Sequence, residues 1–290
     1  EGAALDCTAL LVDEAQDCTE CQIDWLKTQI QLGQKPDVFF VGDAVQTIYS
    51  FRGARSKFLM NIKDAEDATL TKSFRFGPNI ATVANTLLFL KEKSPQKDWK
   101  PYRLIGGGGA GAGRLFASAG DPRAPPRRTL LAFTNLALLQ AALPVGGRII
   151  SINGDGSNSG IRKWQSTLRE VGEVYELTQR PGRVSFKEWD DEDGPMTYDQ
   201  FCRDVEAREL TKYSLHIGLV DKFQEDTMKV AEEFQREVVD RRHPPEGADL
   251  VLSTIHAAKG MEWDHVEVVD DASMAPLARF SFDGGGGGGG

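Results

Sequence analysis

Cysteine is scarce in this chain: four residues in 290, at positions 7, 18, 21 and 202. That count excludes a small disulfide-built scaffold, and free thiols suit the reducing cytosol or nucleus. Cys18 and Cys21 have half the spacing of a zinc site, but Cys7 and Cys202 supply no second pair, so no zinc is assigned. Long apolar runs are also missing. The most apolar stretch, 130–145, is broken by Thr134, Asn135 and Gln140 and closed by Pro144. It reads as a strand and a helix, and no membrane partner is expected. Basic residues are outnumbered, 34 Lys and Arg against 43 Asp and Glu, for a net charge of −9. This excludes broad electrostatic adhesion to nucleic acid, though not a strand held by stacking in a local channel. No Gly-x-x-x-x-Gly-Lys-Ser/Thr occurs. The glycine-rich run from Gly106 to Gly113 lacks that ending and reads as a linker or insertion. The acidic run Glu188–Asp193 is no calcium loop, because Trp189 and Gln200 stand where its first and twelfth ligands belong.

What is present is an ordinary globular composition, 40% hydrophobic and 27% charged, with length for about two domains. Four segments carry chemistry. Asp13-Glu14-Ala15-Gln16-Asp17 follows the apolar run Ala9–Val12, which the pattern predicts to be a buried parallel strand. Of the two adjacent carboxylates at such a strand end, Asp13 and Glu14, one can hold Mg²⁺ through water and the other can orient an attacking water. A second apolar run, Val38–Val41, is also predicted to be a buried strand and leads into Gly42-Asp43-Ala44-Val45-Gln46-Thr47-Ile48-Tyr49-Ser50-Phe51-Arg52-Gly53-Ala54. Gln46 has both a donor and an acceptor with which to sense a terminal phosphate or a water. Tyr49 and Phe51 can stack on bases, and Arg52 can grip a phosphate or carboxylate through two bonds. Standing alone, Phe51 reads as core and Arg52 as surface charge. In Ser73-Phe74-Arg75-Phe76-Gly77-Pro78-Asn79-Ile80, Arg75 can stabilise charge on a transferring phosphoryl group. Gly77-Pro78 then starts a helix, with Ile80, Val83, Ala84, Leu87 and Leu88 on one face. The last segment is Leu252-Ser253-Thr254-Ile255-His256-Ala257-Ala258-Lys259-Gly260-Met261-Glu262-Trp263-Asp264.

In this order the four segments resemble the motifs of UvrD-type superfamily-one helicases, beginning with the Walker B box. The wording around 70–78, at Thr129–Asn135 and at Trp263…Asp270-Asp271 is similar to the eukaryotic F-box DNA helicase branch. One departure is Phe133, which stands where that branch usually carries a basic residue. The resemblance implies that Gln46 and Arg75 contact the γ-phosphate, with Glu14 as the third catalytic residue. It implies that Asp13, Gln46, Arg52, Arg75, Gly260 and Glu262 bind nucleotide, and that Tyr49, Phe51, Thr254 and His256 lie along DNA. ATP and Mg²⁺ are the implied cofactors, with Asp13 holding Mg²⁺ through water and Glu14 orienting the attacking water, and single-stranded DNA is the implied partner. Where an F-box lies upstream, ubiquitin-ligase components join the partners. The implied location is the nucleus.

The implied fold is α/β, with RecA-like P-loop NTPase parallel sheets and an inserted helical subdomain. Residues 1–70 read as the later part of a first RecA-like domain and 71–153 as the start of a second. Residues 154–247 read as the helical insertion, 248–283 as the remainder of the second domain, and 284–290 as a glycine tail. Lacking Walker A and the family's last motif, the chain reads as an internal piece of a longer protein, or as a misassembled gene. The implied activity is ATP-driven 3′-to-5′ DNA unwinding or single-strand translocation in repair and recombination control, with the piece alone inactive. Two alternatives stand beside it: a non-catalytic interaction module derived from a helicase, and the motor part of a helicase–nuclease.

Overall fold

The computed structural model describes residues 5–32, 36–47, 65–93, 100–108, 127–143, 148–153, 158–189, 194–269 and 271. Tyr49, Phe51 and Arg52 lie outside them. The protein is a mixed α/β molecule with parallel sheets, and it divides into two compact units, Glu1–Ala117 and Ser118–Gly290.

In the first unit, β1 (Ala9–Val12) and β2 (Asp37–Phe40) pair in parallel, joined through α1 (Glu20–Leu32). Thr19 begins α1 as its sequence suggests. Its amide donates to Gln22 Oε1 at 2.8 Å, and its hydroxyl accepts from the Gln22 amide at 3.5 Å. This reciprocal pairing satisfies donors that a helix start leaves open. The strands are parallel as expected but not buried: Leu11 is 75% and Phe39 54% exposed. Only one face of this two-stranded pair is covered, so alternate residues stay in contact with solvent. Farther on, β3 (Lys72–Ser73) and β4 (Ile105–Gly106) pair in parallel around α2 (Pro78–Lys93). Helix α2 starts at the predicted proline but buries Ala81 and Leu88, with Val83 and Leu87 exposed. The apolar residues wrap too far round the helix for one stripe to bury them all.

The second unit holds a four-stranded parallel sheet in the order β6-β7-β5-β8. Its strands are β5 (Arg128–Ala132), β6 (Ile150–Ile152), β7 (Leu250–Thr254) and β8 (Val266–Val268). Central β5 and β7 are largely buried, which suits runs of Leu and Val rather than alternation. Helix α3 (Asn135–Ala142) follows β5. Between β6 and β7 the chain makes α4 (Asn158–Gln179), α5 (Tyr198–Ala207), α6 (Ser214–Phe223) and α7 (Thr227–Phe234). Helix α5 carries a full capping box between Thr197 and Gln200. Residues 224–240 form a 3-10 turn, then α7, then a π-helical stretch Gln235–Asp240. One core joins sheet and helices through Leu130, Leu139, Trp164, Leu219, Phe234 and Leu252. A second, aromatic core collects Phe186, Trp189, Phe201 and Tyr213 beside Val174 and Val220. Among the described residues no helix is long and apolar enough to cross a membrane.

Candidate functional site

The acidic box turns sharply after β1. Glu14 has φ 51° and ψ 39°, a left-handed conformation that costs a non-glycine residue about 1–2 kcal/mol. The turn lets the Ala15 amide reach the Val41 carbonyl at 2.9 Å, so the box folds onto the end of β2. Strain of this kind is held only where the surroundings over-determine it. Here the surroundings are a hydrogen-bond chain. Gln16, only 1% exposed, donates through Nε2 to Glu14 Oε2 at 2.6 Å. Its Oε1 accepts from the Asp43 amide at 3.0 Å. A buried primary amide is costly unless both ends are bonded, and both are.

Asp43 is the junction of the site. Its Oδ1 accepts from the Val45 amide at 3.0 Å and caps the 3-10 turn Ala44–Gln46. Its Oδ2 accepts from Gln46 Nε2 at 2.9 Å and from the Tyr102 hydroxyl at 2.8 Å. Burial first, and then the Asp43 carboxylate, push the Tyr102 phenol well above its usual range, so it remains a donor. Glu14, Gln16, Asp43, Gln46 and Tyr102 thus form one connected cluster. The sequence reading named Glu14 and Gln46 but missed the other three as site residues. Gln16 and Asp43 stood inside quoted boxes without an assigned role. Tyr102 is 59 positions from its partner and no local pattern marks it.

Asp13 is exposed and gives one carboxylate oxygen to the Glu14 amide at 2.9 Å. Arg75 is exposed on the loop between β3 and α2, where its amide donates to Ser73 Oγ at 3.3 Å. Among the described residues no three His, Cys, Asp or Glu side chains converge as a metal cage. One or two hard carboxylates at an open strand end suit Mg²⁺, which keeps most of its waters and shares phosphate oxygens. Burial and the neighbouring Asp17 raise the Cys18 thiol pKa, which works against a thiolate ligand there.

Thr254, His256, Gly260 and Glu262 belong to the second unit, at and after the C-terminal end of β7. Thr254 Oγ1 accepts from the Ala257 amide at 3.3 Å and caps the short α8 (Ile255–Ala258). The His256 ring lies 5.2 Å from that of Phe133, at the end of neighbouring β5, with an interplanar angle of 59°. Gly260 has φ +80°, which excludes a strain-free side chain, and Glu262 is exposed. Asn153, at the end of β6, braces this corner by donating to Ser253 Oγ at 3.0 Å and to the Ala257 carbonyl at 3.3 Å. Asp271, 4% exposed, accepts from both the amide and the hydroxyl of Thr134 at 2.9 Å and fixes the start of α3.

Comparison with known proteins places these features in a context. Residues 5–67 match the UvrD/REP helicase N-terminal domain. The chain is 32% identical over 280 residues to F-box DNA helicase 1 of Gallus gallus, covering 93% of the chain and 25% of that protein. It is 28% identical over 279 residues to F-box DNA helicase protein 1 of Schizosaccharomyces pombe, covering 90% of the chain and 29% of that protein. It is 24% identical over 293 residues to ATP-dependent DNA helicase UvrD2 of Mycobacterium tuberculosis, covering 89% of the chain and 40% of that protein. The chain therefore spans about a quarter to two fifths of the length of these relatives.

Proposed function

We propose, from the similarity to DNA helicases along about nine tenths of the chain, that it is part of an ATP-driven DNA helicase that tracks single strands. The observation that carries this reading is the joined cluster of Glu14, Gln16, Asp43 and Gln46, in which the acidic box and the glutamine box share one hydrogen-bonded frame. A frame that links a water-orienting carboxylate to a phosphate-sensing amide suits nucleotide hydrolysis better than mere binding. Its strained Glu14 backbone fits the same view.

In the proposed mechanism Glu14 orients the attacking water and accepts its proton. Gln16 keeps the Glu14 carboxylate aimed while leaving its charge intact. Gln46 contacts the γ-phosphate or the water, and Arg75 offsets charge on the equatorial oxygens as the phosphoryl group leaves. Asp13 would hold Mg²⁺, with Arg52, Gly260 and Glu262 near the nucleotide; bound Mg²⁺ supplies charge neutralisation at the phosphates. Loss of the γ-phosphate removes the Gln46 and Arg75 contacts, the kind of event that releases a two-state element. Tyr49 and Phe51, only a few residues beyond Gln46, then change their grip on stacked bases, with Thr254 and His256 farther along the strand.

The same reading gives RecA-like domains at 1–70 and at 71–153 with 248–283, and a helical insertion at 154–247. Supporting it, four helices lie between β6 and β7, two strands that pair directly in one parallel sheet. On the motif resemblance to eukaryotic F-box DNA helicases, the reading extends to a nuclear role in repair and recombination control, with ubiquitin-ligase partners where an F-box precedes this region. The test is strand displacement by the complete protein. A partial duplex with a 3′ single-stranded tail is unwound when ATP is present, and a 5′-tailed duplex is not. Equal unwinding of both, or of neither, removes the assigned activity or its polarity.

A further inference from the structure

Tyr102 belongs to none of the four boxes, yet it completes the Asp43 junction. Its hydroxyl donates to the same carboxylate oxygen that receives Gln46 Nε2. Its own position is set from the other direction. Two residues on, Leu104 exchanges two hydrogen bonds with the Asn85 side chain on α2, at 2.8 and 2.9 Å. The next residues form β4, which pairs with β3. Gly106 lies so close to Gly77 that an added Cβ would stand 2.3 Å from the Gly77 carbonyl carbon. Strands β3 and β4, helix α2 and the loop bearing Arg75 are therefore one tightly tied piece, and Tyr102 is its contact with Asp43.

We propose that Tyr102 is a positioning residue for ATP hydrolysis, which links the Arg75-bearing piece to Asp43 and thereby holds Gln46 and Glu14 in one arrangement. The proposal rests on the helicase reading above. Under the domain division at residue 70, this hydrogen bond crosses from the first RecA-like domain to the second. A hydroxyl on an ionised carboxylate is a strong, directional contact, made when the two pieces meet and lost when they part. It gives the Arg75 piece a direct way to register where Gln46 stands. Gln16 extends the same registration to Glu14, since its two ends grip Asp43 and Glu14.

The experiment is a double-mutant cycle on the complete protein: Tyr102→Phe and Gln46→Ala, singly and together, in steady-state ATP hydrolysis with saturating single-stranded DNA. Tyr102→Phe keeps the ring and removes only the donor. Its kcat is expected to fall about 10- to 100-fold, the range for a hydrogen bond to a charged group. KM for ATP stays within about two-fold of the parent, since the lost contact matters to turnover rather than to binding. In the Gln46→Ala background Tyr102→Phe adds almost nothing, because both act through one carboxylate. A parental kcat in Tyr102→Phe overturns the proposal, as does a full loss retained without Gln46. So does a loss matched by raised KM and a lower melting temperature. A parent protein that hydrolyses no ATP overturns the helicase reading and this proposal together. A hydrolysing parent with an unaffected Tyr102→Phe overturns this proposal alone.

Discussion

Gln16 shows how much one side chain can decide. It is buried with both amide ends engaged, so Gln16→Leu keeps its bulk but leaves the half-buried backbone amide of Asp43 without its acceptor. The expected cost is about 1–3 kcal/mol of stability, read from a denaturant melt, together with a fall in kcat as Glu14 loses its anchor. A variant as stable and as active as the parent would remove Gln16 from the frame. Phe51 calls for a different assay. If it stacks on the strand, Phe51→Ala weakens single-strand binding about 5- to 150-fold with little change in sequence preference, and Phe51→Trp is tolerated. Labelled-oligonucleotide binding beside a thermal melt decides the matter: unchanged affinity with lost stability makes Phe51 a core residue.

Elements were legible where their signals were local. Thr19, Pro78, Thr134 and Thr197 sit at helix starts because a hydroxyl acceptor or a fixed φ is a short-range requirement. The strands at 9–12, 128–132 and 250–254 follow from short apolar runs. Helix α6 was not read, because Ser214–Val220 is a short apolar run that fits strand or helix equally, and a 3-10 turn precedes it. Burial of β1 and β2 was misjudged because it depends on what covers them, which pattern does not report. The clamps Tyr102–Asp43 and Asp271–Thr134 are invisible for a related reason: 59 and 137 positions separate the partners. Two element-level predictions follow from packing. Gly106→Ala forces a methyl into the Gly77 backbone, so the first unit should lose at least about 1–3 kcal/mol; an unchanged melt would show that β4 can move away. Helices α4 and α6 are joined by Glu170 and the buried His216, 3.5 Å apart. The His216 contact holds the Glu170 pKa below its ordinary 4.5. A carboxylate depressed in the folded state adds stability above about pH 4.5 that is lost as pH falls through the lower folded value. Glu170→Gln should flatten that part of the stability profile, and an acid limb unchanged by the substitution would contradict it.

At the scale of the whole molecule, each unit carries part of the candidate site. The first holds Asp13, Glu14, Gln46 and Arg75; the second holds the Thr254–Glu262 segment and the Phe133–His256 ring pair. The claim on which the account turns is that Glu14 performs the chemistry of an ATP-driven motor. The direct measurement compares the complete protein with Glu14→Gln in Mg-ATP binding and in single-strand-stimulated ATP hydrolysis. The account predicts unchanged Mg-ATP affinity and a kcat lower by about 10²- to 10⁴-fold, the usual contribution of a general base. Near-parental turnover by Glu14→Gln would contradict it.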